Sequence, residues 1–309
     1  MSEDVWPQRR VLVTGGGGFM GSHLIRRLVS LGGQVVSLGG SRDDVEVADG
    51  PHYIFGDISD DTLNAVDFVP ETIFHLAGGA SVAESVADPP GDFLKTVSST
   101  VLLLDFLRRH WPQTQLVYVS SAAIYGESAH KKASHDLTCP PISPYGIHKR
   151  QVESLLLDHG RMYQTRSVIL RPFSVYGPGL RKQLLWDAME KANRDTFDFF
   201  GSGRELRDWV YVADLVECLL KASAHASAAV PVFNAGTCRA VSVRDVLTEL
   251  FSVAGLEREP VFLGQHKEGD PERLVADDSA EALLGPLFLT PLRAGLSAYV
   301  KWYRAARRA

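Results

Sequence analysis

Val11-Leu12-Val13-Thr14-Gly15-Gly16-Gly17-Gly18-Phe19-Met20-Gly21-Ser22-His23-Leu24 is the stretch that decides how this chain reads. An apolar, β-branched run breaks into glycines and resumes at helical spacing through Phe19, Leu24 and Leu28, which predicts a strand, a tight turn and a helix. Gly15, Gly18 and Gly21 suit a sharp turn, a backbone bare enough for phosphate to approach, and close packing of helix on strand. The helix N-terminus adds N–H groups and the positive end of its dipole. A dinucleotide pyrophosphate is the ligand that fits, with Gly15, Gly18, Phe19, Met20 and Gly21 around it. Four glycines in a row also suit a plain exposed loop, so the rest of the chain must decide.

Working outward, Gln34 to Leu38 reads as a second strand ending in Gly39-Gly40-Ser41-Arg42. An acid at that end accepts from the adenosine ribose of NAD, whereas NADP needs the acid absent and an arginine nearby. Gly39 stands in place of the acid with Ser41 and Arg42 beside it, which favours NADP over NAD. Asp43 and Asp44 follow directly and keep open the plainer reading of Arg42 as a solvated charge. His52 to Ile58 reads as a third strand whose Asp57 reaches an adenine amino group, with Ile58 beside it. Thr72 to Gly79 is a fourth, running into the small-residue turn Leu76, Ala77 and Gly78. Apolar positions Phe93, Val97, Val101, Leu104 and Phe106 follow helical spacing. Gln115 to Ser120 and Ser167 to Arg171 are a fifth and a sixth strand.

Strands alternating with helices predict an α/β fold with a doubly wound parallel sheet and a ligand at the carboxyl ends of its strands. Past about Gly177 the pattern is less regular, with short strands, a helix over 212–222 and another opening at Ser242, a suitable N-cap. This predicts a dinucleotide-binding domain over 1–176 and a smaller mixed α/β lobe over 177–309, with some exchange of chain between them.

At 309 residues the chain can build one large core or two modest ones. A formal charge of −5 leaves no electrostatic footprint for nucleic acid or an anionic membrane. No apolar run approaches the roughly 20 residues of a membrane span, and Met1-Ser2-Glu3-Asp4 does not open a signal peptide; a cytoplasmic protein is expected. Cys139, Cys218 and Cys238 are odd in number and lack metal-ligand spacing, so neither disulfides nor a metal site is expected.

Ser120-Ser121 closes the fifth strand, and Ser143-Pro144-Tyr145-Gly146-Ile147-His148-Lys149 opens a helix. Tyr145 and Lys149 are four apart and share a helical face. A neighbouring ammonium favours phenolate, so Lys149 is expected to lower the Tyr145 pKa, while Ser121 hydrogen-bonds the same substrate oxygen. Such a trio exchanges a proton with a carbinol while nicotinamide exchanges hydride with its carbon. A Tyr and a Lys at this spacing also occur as plain surface pairs.

With these motifs the sequence resembles the extended short-chain dehydrogenase/reductase family, in its nucleotide-sugar branch. The likeness spans nearly the whole chain: Thr14 to Gly21, Gly56-Asp57-Ile58, His75 to Gly78, Ser120 to Gly126, Tyr145 with Lys149, Leu170 to Gly179, Arg207 to Asp214, Asn234 to Thr237, and Gly269-Asp270-Pro271 with Ala276-Asp277. It implies Ser121, Tyr145 and Lys149 as catalytic residues, with Lys149 also on the nicotinamide ribose. It implies Ser174 near the substrate and Arg207 as a clamp on the diphosphate of a nucleotide-sugar, unless Arg207 pairs with Asp208 or Asp214. Lys267 stands where the second diphosphate arginine belongs, a point charge in place of a fork. Thr96 and Ser174 replace asparagines frequent in relatives. Ala122 and Ala123 replace the acidic pair of 4,6-dehydratases, which argues against elimination of water.

Two reactions fit the resemblance: epimerisation at a sugar carbon, C4 in most relatives, with retained cofactor, or reduction of a 4-keto-sugar by NADPH. The motifs of the second lobe favour the epimerase; Gly39 with Arg42 leans to the reductase. A dinucleotide-binding scaffold without chemistry would leave Ser121, Tyr145 and Lys149 idle. The resemblance also implies a homodimer built on the helices over 93–109 and 145–157.

Overall fold

The computed structural model describes residues 5–40, 50–127, 133, 140–264 and 271–308. From the N-terminus the chain forms β1 (Arg10–Thr14), α1 (Phe19–Ser30), β2 (Gln34–Leu38), β3 (His52–Ile54), α2 (Asp60–Asn64) and β4 (Thr72–His75). Then come α3 (Val82–Ala87), α4 (Pro89–Phe93), a π-helical turn over Leu94–Ser98, α5 (Ser99–His110), β5 (Gln115–Val119), a 3-10 turn over Ala122–Tyr125, and α6 (Pro144–Tyr163). Next are β6 (Ser167–Pro172), β7 (Ser174–Tyr176), α7 (Gln183–Ala192), β8 (Asp198–Phe199), β9 (Leu206–Arg207), β10 (Trp209–Tyr211) and α8 (Val212–Ala222). The chain closes with β11 (Val232–Ala235), β12 (Val241–Ser242), α9 (Val243–Val253), β13 (Val261–Phe262), β14 (Arg273–Leu274), α10 (Ser279–Leu284) and α11 (Leu292–Ala306).

These elements divide into two compact units, the first comprising 1–124, 140–171 and 216–233, the second 125–139, 172–215 and 234–309. The first is built on a sheet in the order β11-β6-β5-β4-β1-β2-β3. β1 pairs in parallel with both β2 and β4, so the strand order reverses between β1 and β4. That reversal opens the crevice in which ligands of doubly wound sheets bind. Val11, Leu12 and Val13 are all buried, as a strand covered on both faces requires. The core beneath the helices is continuous from Leu12 and Ile73 through Leu104, Phe106 and Leu116 to Val152, Leu156 and Ile169.

The helix expected from the spacing of Phe93 to Phe106 is broken by the π-helical turn. A residue added to a helical turn rotates everything after it. Val97 is therefore followed on the buried face by Thr100, Leu103, Leu104 and Leu107, while Phe93 and Val101, which share its helical spacing in the sequence, are exposed.

In the second unit β7 pairs with β10, β9 lies between β12 and β14, and β8 pairs with β13. Helices α9 and α11 pack on one another. Ser242 caps α9 as expected, accepting from the Asp245 N–H. Buried Asp208 ties this unit together: its carboxylate accepts from Thr237 N–H and Oγ1 and from the N–H groups of Cys238 and Ala276. Four hydrogen bonds to one carboxylate offset its removal from water.

Candidate active site

The β1–α1 turn has the shape its glycines suggested. Gly15 takes φ +72°, a conformation that favours glycine. At Gly21 a Cβ would lie 2.3 Å from the Gly15 carbonyl oxygen and 2.7 Å from Gly16 Cα, so only glycine lets α1 pack this closely. Gly18 is the N-cap of α1, and Phe19 and Met20 form its first half-turn. Facing the turn is the end of β4: a Cβ on Gly15 would meet Ala77 N at 2.7 Å. Leu76, Ala77 and Gly78 are thus brought to the glycine turn, as a backbone approach to a dinucleotide requires. Asp57 is exposed beyond β3, and Ile58 beside it is buried. Gly39 and Gly40 both have positive φ, +124° and +75°, a backbone that an acidic residue adopts only under strain. Ser41 and Arg42 lie outside the described residues.

A buried polar chain holds the end of β4. His75 Nδ1 lies 2.6 Å from Thr14 Oγ1, and its Nε2 2.9 Å from Thr100 Oγ1. Thr100 donates its own hydroxyl proton to the Thr96 carbonyl, so His75 Nε2 donates to Thr100 and Nδ1 accepts from Thr14. Burial, helped by the charge of Lys149, drives the His75 pKa down to about 3, so the ring is neutral.

Tyr145, Lys149 and Ser121 come together within the first unit. Ser143 caps α6 by accepting from the Gly146 N–H, and Pro144 occupies the first helical turn, where its missing N–H costs nothing. Gly146 lets the helix start against the turn after β5: a Cβ there would lie 2.5 Å from the Ala123 carbonyl oxygen. That approach allows the hydrogen bond between the Tyr145 and Ser121 side chains. Ser121 Oγ also accepts from the Ala123 N–H, at 3.1 Å. Lys149 is buried, donates to the Val119 carbonyl at 3.0 Å, and lies 5.2 Å from the Tyr118 ring centre and 5.7 Å from that of Tyr145.

The electrostatics differ from the sequence expectation. Burial pushes the Tyr145 phenol up, Asp92 adds to the rise, and the Ser121 hydrogen bond opposes it. Burial lowers Lys149 to about 8, against the raising influence of Asp92 and Glu153. Desolvation therefore outweighs the help that Lys149 was expected to give the phenolate. Glu153, one turn beyond Lys149, is itself held by Arg171 through hydrogen bonds of 3.0 and 2.7 Å. Its four-residue spacing from Lys149 was the signal that could have found it; Asp92 and His148 gave no such signal.

In the second unit Arg207 is buried and donates to the Leu206 carbonyl. Asp208 accepts from the groups named above and Asp214 from Thr290, the two acids considered as its alternatives. Ser174 donates its N–H to the Asp208 carbonyl, which places it in the strand next to Arg207's segment. Lys267 lies outside the described residues. Among the described residues no cluster of acids, histidines and cysteines is arranged for a metal, and no helix is long and apolar enough to cross a membrane.

Residues 11–236 match the model of the NAD dependent epimerase/dehydratase family. The chain is similar to a UDP-glucose 4-epimerase of Mycolicibacterium smegmatis, with 31% identity covering 96% of this chain and 98% of that relative. Its fold is similar to the crystal structure of UDP-glucose 4-epimerase from Thermotoga maritima with UDP-glucose, at a TM-score of 0.88 and 29% identity over 96% of this chain and 99% of the other. It is also similar to UDP-glucuronic acid 4-epimerase from Bacillus cereus in complex with UDP-glucuronic acid and NAD, at a TM-score of 0.86 and 26% identity over 96% and 99%.

Proposed function

Because this chain belongs to the NAD dependent epimerase/dehydratase family, we propose that it interconverts a UDP-linked hexose and its C4 epimer. The observation that carries this reading is the hydrogen bond between the Tyr145 and Ser121 side chains with Lys149 beneath the Tyr145 ring. The glycine turn fits a dinucleotide, because a bare backbone meets a helix N-terminus at the reversal of the sheet. Gly15, Gly18, Phe19, Met20 and Gly21 hold the pyrophosphate in this reading, Asp57 and Ile58 the adenine end, and Leu76, Ala77, Gly78, Tyr145 and Lys149 the nicotinamide end. The first unit is the dinucleotide-binding body, and the second, with Ser174, Arg207 and Lys267, binds the nucleotide-sugar.

Bound NAD supplies a hydride acceptor that returns what it takes. The rest is the work of the chain. Ser121 Oγ orients the sugar hydroxyl, and Tyr145 Oη takes its proton as the carbon is oxidised and gives one back on reduction. The ammonium of Lys149 stabilises the phenolate of Tyr145 before it takes the proton and after it returns one. NAD replaces the NADP suggested by Gly39 and Arg42, since the family description and the Bacillus cereus structure both name NAD. The reductase alternative rested on that arginine.

A cytoplasmic homodimer completes the reading. Val101 and Leu102 on α5, with Ile147 and Leu157 on the neighbouring α6, are apolar yet exposed. That face suits a second copy of the same helices.

The test is to denature freshly purified protein, identify the nucleotide released, and assay UDP-glucose and UDP-glucuronic acid for C4 epimers. Near-stoichiometric NAD with epimer formation supports the proposal, and Tyr145→Phe should lower turnover by about 10²- to 10⁴-fold. Full turnover in Tyr145→Phe refutes the assignment; tight NADPH binding to empty protein favours the reductase.

A further inference from the structure

We propose that Asp92 and His148 are a positioning pair that ties α6, the helix carrying Tyr145 and Lys149, to the Gly78–Gly79 turn at the end of β4. The pair rests on the reading of Tyr145 and Lys149 given above. Asp92 lies in α4 and is buried, with Oδ2 2.5 Å from His148 Nδ1. The edge of the Phe93 ring packs against the His148 ring at 5.4 Å between centres. Its other oxygen, Oδ1, lies against Gly79, where a Cβ would come within 1.7 Å of it. One carboxylate thus touches both elements that the reaction needs in register. Thr96, in the π-helical turn just after α4, fixes the same turn by accepting the Gly79 N–H at 2.8 Å. Across α6, Tyr145 donates its N–H to Ser85 Oγ, a second brace from α3.

A buried acid–histidine pair is weak evidence for stability, because taking both groups from water offsets most of their attraction. Its value here lies in its neighbours. His148 sits between Tyr145 and Lys149 on α6, and the Asp92 charge acts on both: it favours the Lys149 ammonium and disfavours the Tyr145 phenolate. Glu153, the other acid near Lys149, is engaged by Arg171. Beyond these, Lys149 faces the Tyr118 ring from β5 and its charge acts on His75 from β4, and Tyr145 is hydrogen-bonded to Ser121. Asp92 therefore places the pair and sets the balance of charge between its two members.

The experiment is an ultraviolet phenolate titration of the whole protein, with a Tyr145→Phe background subtracted, in wild type and in Asp92→Asn, which keeps the volume and loses the charge. Tyr145 should titrate lower in Asp92→Asn by about one pH unit. The acid limb of kcat should move the same way with KM little changed. An unchanged titration in folded Asp92→Asn overturns the proposal, as does a lower melting temperature without any movement of either pH profile. Should Asp92→Asn fail to fold, His148→Leu is measured, which removes the hydrogen bond from α6 and leaves the Asp92 carboxylate in place. A lower kcat with KM little changed, regained in His148→Gln, which restores a donor, supports the pair; an unchanged kcat overturns it. The titration needs no turnover, so it reads the pair even if the activity assays remove Tyr145 from the reaction.

Discussion

Replacing Gly21 with alanine sets two known effects against each other. In a helix interior the added methyl gains about 0.5–1 kcal/mol of backbone entropy and propensity. At Gly21 the methyl would sit 2.3 Å from the Gly15 carbonyl oxygen, 2.7 Å from Gly16 Cα and 3.0 Å from the Gly15 carbonyl carbon. All three are backbone atoms of the β1–α1 turn, so no side chain can swing aside. Overpacking of a rigid site costs about 1–3 kcal/mol, and backbone neighbours place this case in the upper half. The steric term wins, leaving a net loss of about 1–2 kcal/mol. For a domain of this size that corresponds to a fall of about 3–6 °C in the first thermal transition. The assay is a calorimetric or fluorescence melt of Gly21→Ala beside wild type, followed by titration with NAD. The shifted turn should also weaken NAD binding, because α1 can relax only by moving its N-terminus away from β1. A melting temperature equal to or above wild type would show that the turn yields freely, and the close-packing argument would fail.

Arg171→Met should destabilise the protein by about 3–5 kcal/mol in denaturant unfolding, because it leaves Glu153 buried without its guanidinium. Adding Glu153→Leu should recover most of that loss; no recovery would mean Arg171 acts by packing alone. His75 is neutral when folded, with its pKa lowered from 6.5 to about 3, so unfolded chains bind a proton that folded ones refuse. Stability should therefore fall as pH drops from about 6.5 towards 3. His75→Asn should flatten that part of the stability–pH curve, and an unchanged slope would contradict the assignment. Leu102→Arg on the exposed face of α5 should give monomers in analytical ultracentrifugation if α5 and α6 form the dimer contact. A dimer of unchanged strength would place the interface elsewhere.

The elements of the first unit were legible because each carries a local signal: β-branched runs for β1 and β4, glycines at the turn, and Ser143-Pro144 at the start of α6. The same holds for Ser242 at the start of α9. The break between α4 and α5 was not legible, because a π-helical turn changes which face is buried without changing the residue types involved. Phe93 and Val101 therefore share one helical stripe with Val97 and Leu104 in the sequence, yet lie at the surface while those two are buried.

By itself the sequence determined the doubly wound α/β class, the strand–turn–helix that opens it, and the juxtaposition of Tyr145 with Lys149, since a four-residue helical spacing is a property of the backbone alone. Only the tertiary structure decided the charge around that pair. The Tyr145 pKa rises because the phenol is buried beside Asp92, a residue 53 positions earlier in the chain and brought there by α4. Arg171 from β6 likewise meets Glu153 on α6 through the packing of helix on sheet. Proximity along a helix can be read from spacing, whereas desolvation and contacts between distant segments exist only once the chain has folded around them.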